Sequence, residues 1–111
     1  MIVNGLKLIL LLFAAHALCD YPLQGEFLSK GKNRHKSPYL AWCPWYWCMT
    51  AHCLIHAGAV LLITNSVWLG LTEFAVHFIT DFSKCEDWIG MDADQTIHLG
   101  VKILWMLAVM R

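Results

Sequence analysis

Histidines and carboxylates recur four positions apart in this chain. His16 pairs with Asp20, His52 with His56, and Asp94 with His98, while Glu73, His77 and Asp81 follow one another at steps of four, with Lys84 near the same line. On an α-helix, residues four apart share one face, about 6 Å from each other. Imidazole and carboxylate groups that converge inside a helical bundle are the ligand set of a transition metal such as zinc, manganese or iron. The expected ligands are His16, Asp20, His52, His56, His77, Asp81, Asp94 and His98, with His77 and Asp81 at the centre. Glu73, Gln24, Gln95 and Lys84 are expected just outside them, orienting them through hydrogen bonds. These groups exceed the four ligands of a single zinc, so one or two divalent ions are expected. The same residues could serve two other roles. His–carboxylate pairs could hydrogen-bond across helices to hold a bundle, or line a path for protons or ions.

Spacing excludes several familiar chemistries. His52 and His56 have the separation of the metalloprotease helix, but Cys53 stands where that motif needs Glu. The Glu-x-x-His spacing of di-iron bundles is absent, as are a phosphate-binding loop and a Gly-x-Ser-x-Gly nucleophile turn. The five cysteines, Cys19, Cys43, Cys48, Cys53 and Cys85, are odd in number and form no CxxC pair, which argues against a disulfide framework. They read as buried apolar thiols, although Cys19 and Cys53 each lie three positions from a histidine, where a thiolate could join a metal.

The elements that must carry these residues are long and apolar. Of 111 residues, 59% are hydrophobic and 14% charged, against roughly 45–50% and about 25% in an ordinary soluble domain. A soluble chain of this length has too little interior for so much apolar surface, so a membrane is expected. A formal net charge of zero argues against a nucleic-acid partner. Four apolar segments, at about 2–19, 41–63, 67–82 and 94–110, read as helices, with Asn65-Ser66 as a tight turn. The expected fold is all-α: a single domain over 1–111, a four-helix membrane bundle with up-down topology. The third and fourth segments are short for full spans, which need roughly 20 residues. Lys30, Lys32, Arg34 and Lys36 lie in the first long loop and read as a solvated, headgroup-anchoring stretch. The positive-inside rule puts that loop in the cytoplasm. Trp42, Trp45, Tyr46, Trp47 and Trp88 would then form the aromatic belt on that side. In this topology every polar pair falls at one depth, near the cytoplasmic face. Buried ionisable groups cost about 2.5–3.5 kcal/mol each on insertion scales, so nine at one level must neutralise one another or hold a cation.

Residues 1–19 also resemble a signal peptide, with Lys7, an apolar run and Ala15-His16-Ala17 before Cys19. Retention is expected, because His16 and Asp20 belong to the polar pattern.

The stretch His16-Ala17-Leu18-Cys19-Asp20-Tyr21-Pro22-Leu23-Gln24 resembles the opening motif of a small bacterial and phage membrane-protein family of unknown function. His77-Phe78-Ile79-Thr80-Asp81-Phe82-Ser83-Lys84 and Asp94-Gln95-Thr96-Ile97-His98 resemble its later motifs, in the same order. The resemblance implies a multi-span bundle in a bacterial inner membrane, or in a host membrane if phage-encoded, and supplies no activity. The wider pattern is loosely similar to inner-membrane proteins described as metal-dependent hydrolases. Two functions are therefore expected to compete. One is a metal-dependent hydrolase acting on a lipid-like substrate. The other is a non-catalytic membrane protein whose polar pairs hold the bundle or contact a host membrane protein.

Overall fold

The structure, a computed structural model, describes residues 2–111, with side chains from Asn4 onward. Among the described residues it is helical throughout, with no strand: α1 (Ile2–Asp20), α2 (Gly25–Gly31), α3 (Trp45–Thr64), α4 (Val67–Cys85) and α5 (Met91–Met110). The four long helices lie where the apolar segments place them, with shifted ends. α3 starts at Trp45 rather than near 41, because Pro44 is its extended N-cap (φ −59°, ψ 143°) and proline disfavours helix in the residue before it. α5 starts at Met91, which places Asp92 and Asp94 in its first turn, where carboxylates suit the helix dipole.

α2 is an element that the polar stretch 21–39 does not announce. Gly25, at φ +63°, breaks the chain after α1, and α2 leaves at 82° to α1. At the opposite end, Asn65 takes the left-handed conformation (φ 55°) and caps α3 through its N–H to the Leu61 carbonyl at 2.8 Å. Ser66 then caps α4, its Oγ accepting from the Leu69 N–H at 3.2 Å. Asn65-Ser66 is thus the tight turn expected. Beside it Gly70 brings α4 against α3: a Cβ there would meet the Ala57 carbonyl oxygen at 3.2 Å.

The long helices run up, down, up, down: α1 and α4 both touch α3 and α5, and α3 and α5 also touch, more slightly, across the bundle. The C-terminal ends of α1 and α4 and the N-terminal ends of α3 and α5 therefore share one end, which α2 crosses.

The burial pattern is inverted relative to a soluble bundle. Among the described residues, seven hydrophobic ones are buried, against thirteen polar or charged ones. Large apolar side chains, among them Leu10, Leu62, Trp68, Leu71, Ile79 and Leu104, face outward. The apolar core is a small cluster of Met49, Cys53 and Cys85, with Trp45, Phe74, Phe78 and Phe82 packed on it. Trp45 thus turns inward instead of joining the belt, whereas Trp42, Tyr46, Trp47 and Trp88 are exposed. One helix, α3, is long and apolar enough by itself to cross a membrane, and α1 with α2 pass that test only as a bent pair.

Candidate metal centre

Each polar pair sits on the inward face of its helix, and the faces meet at the end where α2 lies. Asp20, on the last residue of α1, is the hub. Its Oδ1 lies 2.9 Å from His56 Nε2, 3.2 Å from His52 Nε2 and 3.9 Å from His77 Nε2. His52 and His77 bring their Nε2 atoms to 3.2 Å of each other. These four residues offer ligand atoms that all lie within 4.8 Å of one another, and all four are buried. A tetrahedral ion with bonds of about 2.0–2.2 Å has ligand–ligand edges of roughly 3.3–3.6 Å. Four of the six separations, 2.9–3.9 Å, bracket that range, and all the ligand atoms lie within 4.8 Å of one another.

Hydrogen bonding alone leaves this group over-supplied with acceptors. His52 Nε2 faces Asp20 Oδ1, Asp81 Oδ2 (3.1 Å) and His77 Nε2 at once, and one ring N–H can satisfy only one of them. His52 Nδ1 has no hydrogen-bond partner. The rings of His56 and His77 stack at 3.7 Å, and those of His77 and His98 at 4.0 Å. The stack holds the nitrogens in place.

Charge separates the four buried carboxylates. Glu73 meets Lys102 Nζ at 2.6 Å, Asp81 meets Lys32 Nζ at 2.7 Å, and Asp94 meets Lys84 Nζ at 3.5 Å. Asp20 is surrounded instead by His16 (3.3 Å), His52, His56 and the Gln95 amide, which donates to its Oδ2 at 2.9 Å. Among the described residues it is the buried carboxylate that faces imidazoles and no lysine.

Two further groups adjoin the hub: Glu73, His77 and His98, and Asp81, Asp94 and His98. All eight expected ligands are therefore buried in one region, but they do not form one shell. Asp20 stands with three imidazoles, and Asp81, which faces His52, His77 and His98, also carries Lys32 on its Oδ2. His16 stands outside the four, its Nε2 3.0 Å from the Gln95 Oε1. Gln95 fits the supporting place expected of it. Gln24 does not reach a ligand side chain; its Oε1 accepts from Lys32 at 2.5 Å and its amide donates to the Asp20 carbonyl. Glu73 receives His77 Nδ1 at 3.0 Å and the Trp105 indole N–H at 3.0 Å, deeper in the bundle. The metal-capable groups contain no thiol; Cys53 is in the apolar cluster.

Two lysines depart from the sequence reading. Lys32 is not a solvated loop residue, since it is buried between Gln24 and Asp81. Lys102 lies buried in mid-helix on Glu73. Its signal in the sequence is the step of four from Asp94 through His98 to Lys102. The rest of the basic loop is tied to the α4–α5 turn. Arg34 and His35 bind the Glu86 carboxylate, His35 Nε2 at 2.6 Å, and Asn33 donates to the Cys85 carbonyl at 3.3 Å. The Arg34 hydrogen bond, with His35 in support, holds the Glu86 carboxyl below the usual range.

Comparison with known protein families, curated proteins and solved structures finds no match to this chain, so its function is argued from the site itself.

Proposed function

We propose that the chain is an integral membrane bundle of four spans that binds a divalent transition metal, zinc, manganese or iron, through Asp20, His52, His56 and His77. The observation that carries the reading is the Asp20 hub: a buried carboxylate without a lysine, ringed by imidazole nitrogens at 2.9–3.9 Å. An ion there ties α1, α3 and α4 together at one end.

The inverted burial supports the membrane part. Glu73, Asp81, Asp94 and Lys102, which lower the apolar character of α4 and α5, all face inward, and the outward faces are apolar. Helices of 19–20 residues are about 28–30 Å long, matching the roughly 30 Å hydrocarbon core of a bilayer. The basic Lys30, Arg34 and Lys36 on the α2 end support a cytoplasmic position for that end, in a bacterial inner membrane or, for a phage-encoded chain, a host membrane.

A hydrolase is the second reading. It is favoured by the surplus of Asp81, Asp94 and His98 beside the four ligands, enough to take a proton from a metal-bound water. A lipid-like ester or phosphodiester entering from the headgroups would suit the depth. Four protein ligands around one ion favour a structural role instead, in a protein whose partners are the bilayer and, in a phage setting, a host membrane protein. Elemental analysis of detergent-purified protein tests the metal. Wild type is expected to carry an ion that His77→Ala loses while still inserting into membranes. Metal-free wild type, with stability indifferent to added zinc, manganese or chelator, would leave the polar faces as interhelical hydrogen bonds. Ester or phosphodiester cleavage by the loaded protein, lost in His98→Ala with the metal retained, would establish the hydrolase.

A further inference from the structure

We infer that Asp81, Asp94 and His98 form a second divalent-cation site, and that Lys32 acts as a tethered cation competing for it. The inference rests on the bundle reading above, and it does not require the Asp20 site to be filled.

His98 Nε2 lies 2.9 Å from Asp81 Oδ1 and 3.2 Å from Asp94 Oδ1. The three residues offer ligand atoms within 4.8 Å of one another, and each is at most 1% exposed. Two carboxylates and one imidazole suit manganese(II) or iron(II), which accept oxygen-rich sets. A second observation points to a ligand here. Asp94 Oδ1 is buried and makes no well-directed hydrogen bond, facing only the His98 ring nitrogen at 3.2 Å, whereas Oδ2 receives the Gln95 amide at 3.1 Å and lies 3.5 Å from Lys84 Nζ. An unpartnered carboxylate oxygen in a buried setting is costly, and a cation shared with Asp81 would satisfy it.

Two ammonium groups stand against a second ion: Lys84 lies 3.5 Å from Asp94, and Lys32 is bound more closely, to Asp81. Lys32 Nζ sits 2.7 Å from Asp81 Oδ2 and is 3% exposed. Lys32 is not part of a long helix. It is the C-cap of α2, which crosses the open end of the bundle. Gly31 presses against α3 so closely that a Cβ there would collide with Cys48 Sγ. That close approach places the next residue over Asp81. The Lys32 ammonium is thus held by a seven-residue helix outside the four long ones. The bundle would then exchange one positive charge on a tether for two on an ion.

The test is equilibrium dialysis of the full chain in detergent against manganese(II), with elemental analysis of bound metal. At micromolar manganese, Lys32→Met should bind one ion more per chain than wild type, at least about tenfold tighter than wild type takes that ion. Lys32→Met combined with Asp94→Asn should lose it. The difference is independent of the first site. A change from one ion to two supports both readings. A change from none to one supports this one while refuting the Asp20 site. Equal binding by wild type and Lys32→Met at every concentration overturns the inference. Should Lys32→Met fail to fold, wild type and Asp94→Asn decide: at millimolar manganese wild type should gain one equivalent over the variant, and identical saturation overturns the proposal.

Discussion

Replacing His56 by Ala isolates the metal more cleanly than any other single change. His56 Nε2 faces Asp20 Oδ1 at 2.9 Å, whereas His77 also supports Glu73 and His52 also faces Asp81. Four-ligand zinc sites in small folds are worth about 10–16 kcal/mol. Shared over four ligands, His56 accounts for about 2.5–4 kcal/mol, or about 10²–10³-fold in Kd. The assay is zinc competition with a chromogenic chelator, paired with thermal unfolding in detergent. At zinc a thousandfold above the wild-type Kd, the ion stabilises wild type by about 4 kcal/mol, and the variant by only about 0.4–1.4 kcal/mol. If His56 only hydrogen-bonds Asp20, the variant loses about 1.5–3 kcal/mol, and loses it equally with zinc or with chelator. The reasoning fails if wild type unfolds at one temperature in both conditions, or if His56→Ala binds zinc as tightly as wild type.

Gly31→Ala should push α2 off α3 at a cost of about 1–3 kcal/mol and move manganese stoichiometry toward that of Lys32→Met; wild-type stoichiometry would show that the α2 contact does not position Lys32. Lys102→Met leaves Glu73 buried without its ammonium and should destabilise by about 3–5 kcal/mol, with Glu73→Gln in the same chain restoring part of the loss in a thermal melt. The Glu86 carboxyl titrates lower in the folded chain than in the unfolded one. Its clamp on Arg34 and His35 therefore stabilises above about pH 4.3, the ordinary glutamate value, and is lost as pH falls through the folded value. Amide protection at 33–36, relative to the intrinsic exchange rate at each pH, should fall as the pH drops, and in Glu86→Gln it should be low throughout. Reporter fusions at Gly31 and after Arg111 should report opposite sides of the membrane, with Gly31 cytoplasmic; a shared side would remove the four-span reading.

The step of four made the inward faces of the long helices legible, because it is the helix period itself. Shared depth followed from the order of the polar pairs along an up-down chain, and the structure brings all eight expected ligands into one region. Which of them form a shell was not legible. That depends on which carboxylates lysines already neutralise, and Lys32 reaches Asp81 across 49 positions. Nothing local marks that contact, since its cause is a seven-residue helix set by a glycine break and a glycine contact in a stretch that reads as loop. Lys102 hid for another reason: the interior is polar, so a charge in an apolar helix faces inward here.

The Glu73–Lys102 pair bears on how such a chain is made. A helix carrying Glu73 and Asp81, and one carrying Asp94 and Lys102, would each enter lipid poorly alone, at about 2.5–3.5 kcal/mol per charge. The Asn65-Ser66 turn joins α3 to α4 so tightly that the apolar helix can bring the charged one in as a hairpin. α5 follows α4 in the chain, and its lysine finds an acidic partner only once α4 is in place. In a four-span protein, insertion would therefore have a direction: α4 would have to await α5, and a nascent chain halted before Lys102 would leave Glu73 without its counter-ion.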